Sequence, residues 1–196
     1  MSATYDALML ISGITSNTTV QSGGVDGATE QEVHALAYLA GQLSRWTAPD
    51  FDWGYAFFAT KKAEPFAPEV SKVISSLCSA GAIERSGGLL HLSATGEKLR
   101  NQLSHHVTAK DRAPYLDAAV AIISLIPIPL VLRALGHDPT LISARPSREL
   151  LDETALNILA SYHDALAKTL GSPTTLLSLA ELWIRYLLAI SEAEAA

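Results

Sequence analysis

The chain has 196 residues, 48% of them apolar and only 17% charged, with a formal net charge of −6. Disordered chains are charge-rich and apolar-poor, so this balance excludes disorder over most of the length. Twelve glycines and nine prolines exclude collagen-like and low-complexity classes. A mean hydropathy of +0.21 leaves more apolar surface than one small core hides, so either a tight Ala- and Leu-rich helical core or a partner covers it.

Cys78 is the single cysteine, which excludes an intramolecular disulfide and a cysteine metal cluster. The start, MSATYDALMLISGI, has no basic region and no small-residue cleavage pattern, so a cytoplasmic location is expected. The uncharged run Ala118 to Leu132 has 15 residues and contains Pro127 and Pro129. It falls short of the ~20 residues that span a bilayer, and it reads as core. Charge is uneven: residues 1–29 carry two acids, residues 30–110 eight acids and eight bases, and residues 111–196 ten acids against six bases.

In chain order, residues 4–14 read as a short helix or a buried strand, and Ser16 to Gly27 as a polar, Gly-rich loop. Thr29 with Glu32 three residues on is a capping-box signal. Val33, Leu36, Leu39, Ala40 and Leu43 then recur at helical spacing to about Trp46. The aromatic stretch Tyr55 to Thr60 suits a short strand, and Lys61 to Pro65 is polar. Pro68 suits the first turn of a helix whose stripe is Val70, Val73, Ile74 and Leu77, stopped by Gly81. Ala82 to Arg85 and Leu89 to Leu92 flank Ser86-Gly87-Gly88 as a hairpin. Ser93 caps a helix to about Val107 with Leu99 and Leu103 inward. Leu36, Leu39, Leu77, Ile83 and Leu99 are expected to share one core. Beyond this, Pro114 is expected to open a helix through Leu125, and Pro129 to Leu135 a short one closed by Gly136. His137 to Arg145 reads as a loop, Pro146 to Leu170 as a helix, and Pro173 to about Ser191 as the last helix, with Glu192 to Ala196 fraying.

Helix, helix, hairpin, helix predicts a mainly α fold: a winged helix-turn-helix with a small β-hairpin wing over residues 1–110, plus a helical lobe over 111–196, packed as one unit. The run SLCSAGAIERSGGLLHLSATGEKL resembles the winged-helix pattern of a leucine, a glycine turn, an apolar strand, a wing and a Leu-Thr-x-x-Gly element, here Leu92 to Gly96. Residues 28–104 carry a closer likeness in His34, Leu36, Tyr38, Leu39, Phe57, Phe58, Pro65, Phe66 and Pro68. They resemble the Panacea antitoxin-like and YwgA-like group. The departures are Ala28 where an arginine is usual, Glu64 for glycine and Ala67 for serine. That resemblance implies a non-enzymatic antitoxin, adaptor or accessory subunit of a bacterial defence operon. Similar winged-helix subunits are the middle components of ABC three-component systems.

Catalytic signatures are missing from the sequence. Six histidines are scattered without a His-Glu-x-x-His pair, and His105 and His106 are adjacent, so a helix points them apart. Cys78 reads as a small buried hydrophobe. No Gly-x-Ser-x-Gly elbow is present. Ser22 to Gly27 lacks the Lys-Ser/Thr of a P-loop. Asp50 and Asp52 flank Phe51 in a solvated loop, and Asp152 and Glu153 suit a first helical turn. No cofactor and no metal are expected.

Two binding surfaces compete. For DNA, helix 68–80 points Ser71, Lys72, Ser75, Ser76 and Ser79 outward. Arg85 on the wing and Lys61 and Lys62 add charge, and the set is thin for phosphate neutralisation. For a protein partner, or a second copy of this chain, the last helix is apolar on all sides but a stripe of Thr174, Ser178, Glu181 and Arg185. Trp183, Ile184, Leu187 and Leu188 are its candidate contacts, with burial in the chain's own bundle as the competing outcome. The sequence favours a protein-binding subunit over a DNA-binding regulator, and both over a hydrolase.

Overall fold

A computed structural model describes residues 2–22, 27–143, 149–150, 161, 165, 168 and 175–195. Among these the chain is mainly helical: α1 (Ser2–Ser22), α2 (Glu30–Thr47), α3 (Pro68–Ser79), α4 (Ala94–Leu103), α5 (Val107–Leu125), α6 (Ile128–Leu135), α7 (Pro139–Ser143) and α8 (Leu176–Ala195). The strands are β1 (Phe57–Ala59), β2 (Pro65–Phe66), β3 (Ile83–Ser86), β4 (Leu89–Leu92) and β5 (Glu149–Leu150).

Thr29 starts α2 as a reciprocal cap. Its hydroxyl accepts from the Glu32 amide at 3.2 Å, and its own amide donates to Glu32 Oε2 at 2.7 Å. Every residue from Val33 to Ser44 is buried, so α2 is the central rod of the molecule. α5 crosses both α1 and α2, and α8 packs on α5 and α6. One buried cluster therefore draws on both halves of the chain: Leu8 and Ile11 of α1, Leu36 and Leu39 of α2, Ile122 of α5, and Ile184 and Leu187 of α8. Leu77 and Ile83 join it, and Leu99 packs against it half-buried. No single helix among the described residues is long and apolar enough to cross a membrane. α5 and α6, which hold the long uncharged run, bend by 115° at their junction.

The hairpin is paired Ile83↔Leu92 through Ser86↔Leu89. Gly87 and Gly88 turn it at φ 58° and 85°, where a side chain is strained. Ala28 adds a bridge on the other side of β4, with its amide donating to Leu90 O at 3.0 Å and the Leu90 amide returning a bond at 2.7 Å. β4 is thus central in the series Ala28, β4, β3. Gly96 is needed for closeness instead: a Cβ there would lie 2.1 Å from Ala82 O, so α4 seats directly on the start of the hairpin. Strands β2, β1 and β5 form a separate antiparallel sheet, with Phe58↔Phe66 and Phe57↔Leu150 in register.

Several boundaries differ from expectation. α1 runs through Ser22 instead of ending near Ile14. Its polar side chains fold back on the preceding turn, Ser16 donating to Ser12 O at 2.8 Å and Asn17 to Gly13 O at 2.8 Å. Pro114 lies inside α5 rather than opening it, and Val107 begins α5, 72% exposed, rather than closing α4. α7 occupies the expected loop because Asp138 takes the Thr140 amide at 2.8 Å, a side-chain cap. Glu149–Leu150 is a strand where a helix was expected. The rest of that expected helix lies outside the described residues, except Ser161, Ala165 and Lys168, which are helical. α8 continues to Ala195, past the expected frayed end.

Candidate functional site

The polar cluster richest in chemistry lies where α2, α3 and the hairpin meet. Glu30 sits in the first turn of α2 and His34 one turn later on the same face. Pro68 starts α3 so that Ala67 precedes it and Ser71 follows one turn on. His34 is 4% exposed, its ring tilted against Phe66 at 4.9 Å. Its Nδ1 accepts from the Ala67 amide at 3.3 Å, so the neutral ring carries its proton on Nε2. That nitrogen, 3.0 Å from Ser71 Oγ, donates to it, and Ser71 donates onward to Glu30 Oε1 at 2.6 Å. Glu30 Oε2 accepts from Arg85 Nη2 at 3.0 Å. The chain of bonds therefore runs His34, Ser71, Glu30, Arg85, tying three elements together.

Serine, histidine and carboxylate in contact invite a nucleophilic reading, and the bond directions oppose it. An activating imidazole must offer its lone pair to the serine. Here the lone pair faces the Ala67 amide, and the serine proton points at Glu30. The cluster is a latch for the α2–α3 angle. Burial lowers the His34 pKa below its usual 6.5, only partly countered by Glu30. A lowered histidine pKa contributes stability that is complete above 6.5 and is lost as pH falls through the folded value. Protonation would also set Nδ1–H against the Ala67 N–H. Melting temperature is therefore expected to fall from about pH 7.5 to about pH 5, and more steeply than in His34→Gln. Parallel curves for the two proteins would remove the latch.

The structure scatters the candidate DNA-contacting residues. Lys72, Ser75, Ser76 and Ser79 are exposed along α3, with Glu69 beside them, while Ser71 is withdrawn into the latch. Arg85 is exposed but paired to Glu30. Lys61 and Lys62 are exposed on the turn between β1 and β2, near Glu64, which Gln31 of α2 holds at 2.8 Å. Arg100 of α4 is paired with Glu97 at 2.8 Å.

The candidate partner contacts on α8 lie inward. Trp183, Ile184 and Leu187 are 0% exposed, and Leu188 is half-buried. Trp183 meets Trp46 of α2 edge-on at 5.1 Å and stacks on Tyr186 at 5.6 Å. The chain's own bundle covers Trp183, Ile184 and Leu187, which offer no open surface. Thr174 of the polar stripe lies outside the described residues. Glu181 and Arg185 pair across one turn at 2.9 Å.

Cys78 is half-buried on α3, and Asp52 serves a turn by accepting from the Gly54 amide at 2.8 Å. No group of three histidines, cysteines or carboxylates among the described residues could hold a metal. The latch escaped the sequence because its parts lie 33 to 55 residues apart; the available signal was Glu30 and His34 one helical turn apart behind a cap. Comparison with protein-family models, curated proteins and solved structures finds no match to this chain.

Proposed function

We propose that the chain is a non-enzymatic protein-binding subunit on a winged-helix scaffold, antitoxin-like or an accessory component of a bacterial defence or ATPase complex. The order α1, Ala28, α2, α3, β3, β4, with β4 central, suits that scaffold, with α3 as its presented helix and the β3–β4 turn as its wing. The observation that carries the protein-binding reading is the Glu30–Arg85 pair at 3.0 Å. It spends the wing's cation inside the chain and leaves Lys72, opposed by Glu69, as the exposed cation on α3. A duplex-reading face needs several phosphate-neutralising cations; a near-neutral serine face suits a protein surface. The latch holds that face at a fixed angle, which lowers the ordering cost of docking.

The second reading, a winged-helix DNA-binding regulator, draws on the exposed Lys72 and Ser75 of α3. Co-expression with the products of adjacent genes, followed by gel filtration, tests the first. A stable complex that Ser75→Arg with Ser79→Glu disrupts, while the circular dichroism of the variant is unchanged, is the expected result. In a mobility-shift assay at about 0.15 M salt the wild type is expected to leave duplex DNA unshifted. Tight binding that Lys72→Ala with Arg85→Ala abolishes would overturn the reading in favour of the regulator.

A further inference from the structure

Apolar surface stands open at the elbow between α5 and α6. Two of the four large apolar side chains exposed among the described residues are there, Leu125 at 47% and Leu130 at 36%. Pro127 and Pro129 beside them are exposed as well. Pro129 and Leu130 lie one turn before Arg133, on its face of α6. On α8, Arg185, Leu188, Ala189 and Glu192 recur at three- and four-residue steps and so share a face too. Arg185, Ala189 and Glu192 are exposed, and the half-buried Leu188 keeps part of its surface open. Arg133 Nη2 comes within 3.9 Å of Glu192 Oε1, which joins the two faces along one edge.

The charges on this surface decide what it fits. The chain carries −6 overall, so two copies repel unless the faces that meet are locally balanced. The charged side chains described on α6 and α8 are two of each sign, Arg133 and Arg185 against Glu181 and Glu192. Balanced signs give no pull on a polyanion or on a partner of one strong charge. A two-fold contact needs a patch that complements itself, and apolar groups beside both signs meet that need. Arg185 is committed to Glu181 at 2.9 Å. The Arg133–Glu192 contact is longer than a hydrogen bond and both side chains are well exposed, so it is exchanged at little cost. We infer that this α6–α8 face docks a second copy of the chain. Leu130 and Leu188 of the two copies pack together, and Arg133 of each copy pairs with Glu192 of the other. The leucines supply the affinity and the ion pairs fix the register. A contact of this modest size is expected to hold with a Kd on the order of 10 μM.

The test is sedimentation velocity of the full chain from about 1 μM to about 300 μM, across which the wild type is expected to pass from monomer to dimer. Leu130→Glu is expected to remain monomeric throughout with unchanged circular dichroism. Arg133→Glu and Glu192→Arg, each at an exposed position, are each expected to weaken the dimer by about tenfold or more, because each sets like charges together in both symmetric pairs. Mixed one to one, the two charge variants are expected to restore the dimer, since every crossing pair is then opposite in sign again. A pair that acts only within one chain cannot give that rescue. A wild type that stays monomeric at the highest concentration, a dimer indifferent to Leu130→Glu, or a mixture that sediments no larger than the separate variants would each overturn the inference. Should Leu130→Glu lose its fold, the mixing experiment decides alone.

Discussion

Leu187→Asp is expected to unfold the isolated chain. Leu187 is 0% exposed on α8, which packs against α5 and α6 and touches α2. An aspartate there would be ionised in an apolar interior with no cation beside it, or would take up a proton at a cost. Either way the loss is about 4 kcal/mol or more, a large part of the 5–15 kcal/mol that typically holds a domain together. Trp183→Ala one turn earlier removes the edge contact with Trp46 and the stack on Tyr186, and is expected to cost about 3–5 kcal/mol. Urea denaturation followed by circular dichroism reads both. A Leu187→Asp chain with wild-type stability would mean that α8 is not the bundle's inner helix. It would return the surface of Trp183, Ile184, Leu187 and Leu188 to a partner.

What the sequence disclosed follows from how local each signal is. The Thr29–Glu32 cap, Pro68, the Gly87-Gly88 turn and the Ser93 cap all act within a few residues, and they set α2, α3, the hairpin and the start of α4 where the structure has them. Signals that depend on distant partners were not readable. Pro114 reads as a helix start, yet α5 already begins at Val107, because the buried Arg112 fixes that turn through contacts to α1 and to the Trp53 carbonyl. Asp138 reads as a loop acid. In the structure it is fully buried, accepting from Gln42 at 2.5 Å and from Thr140 Oγ1 at 2.6 Å, and it joins α2 to α7. The all-round apolarity of α8 was legible, but whether its cover came from this chain or another was not. Hydrophobic pattern measures the need for burial and carries no address.

The Asp6–Arg112 pair is the second site where a single change is expected to have a large effect. The two residues are 106 apart in sequence, and both side chains are almost wholly buried. Arg112 donates through Nε to Asp6 Oδ1 at 2.8 Å and through Nη2 to Oδ2, and its Nη1 donates to Trp53 O at 2.6 Å. The guanidinium lies 3.9 Å from the centre of the Trp53 ring, and Tyr55 donates to Asp6 Oδ2 at 2.7 Å. One guanidinium thereby fastens α1, the segment before β1, and α5. Desolvation offsets much of the Coulombic gain of such a pair, but removing one partner strands the other. Arg112→Met is expected to cost about 3–5 kcal/mol at neutral pH, and Asp6→Leu combined with Arg112→Met less than Arg112→Met alone. Burial already raises the Asp6 pKa against the pull of Arg112, and without Arg112 that pull is gone. A carboxyl whose folded pKa lies above its unfolded value of 3.8 contributes stability below that value and loses it as pH rises through the folded one. The deficit of Arg112→Met relative to wild type should therefore be larger at about pH 7 than at about pH 4. Urea midpoints at the two pH values measure it. A deficit that does not change with pH would place the cost in lost packing on Trp53 rather than in a stranded carboxylate.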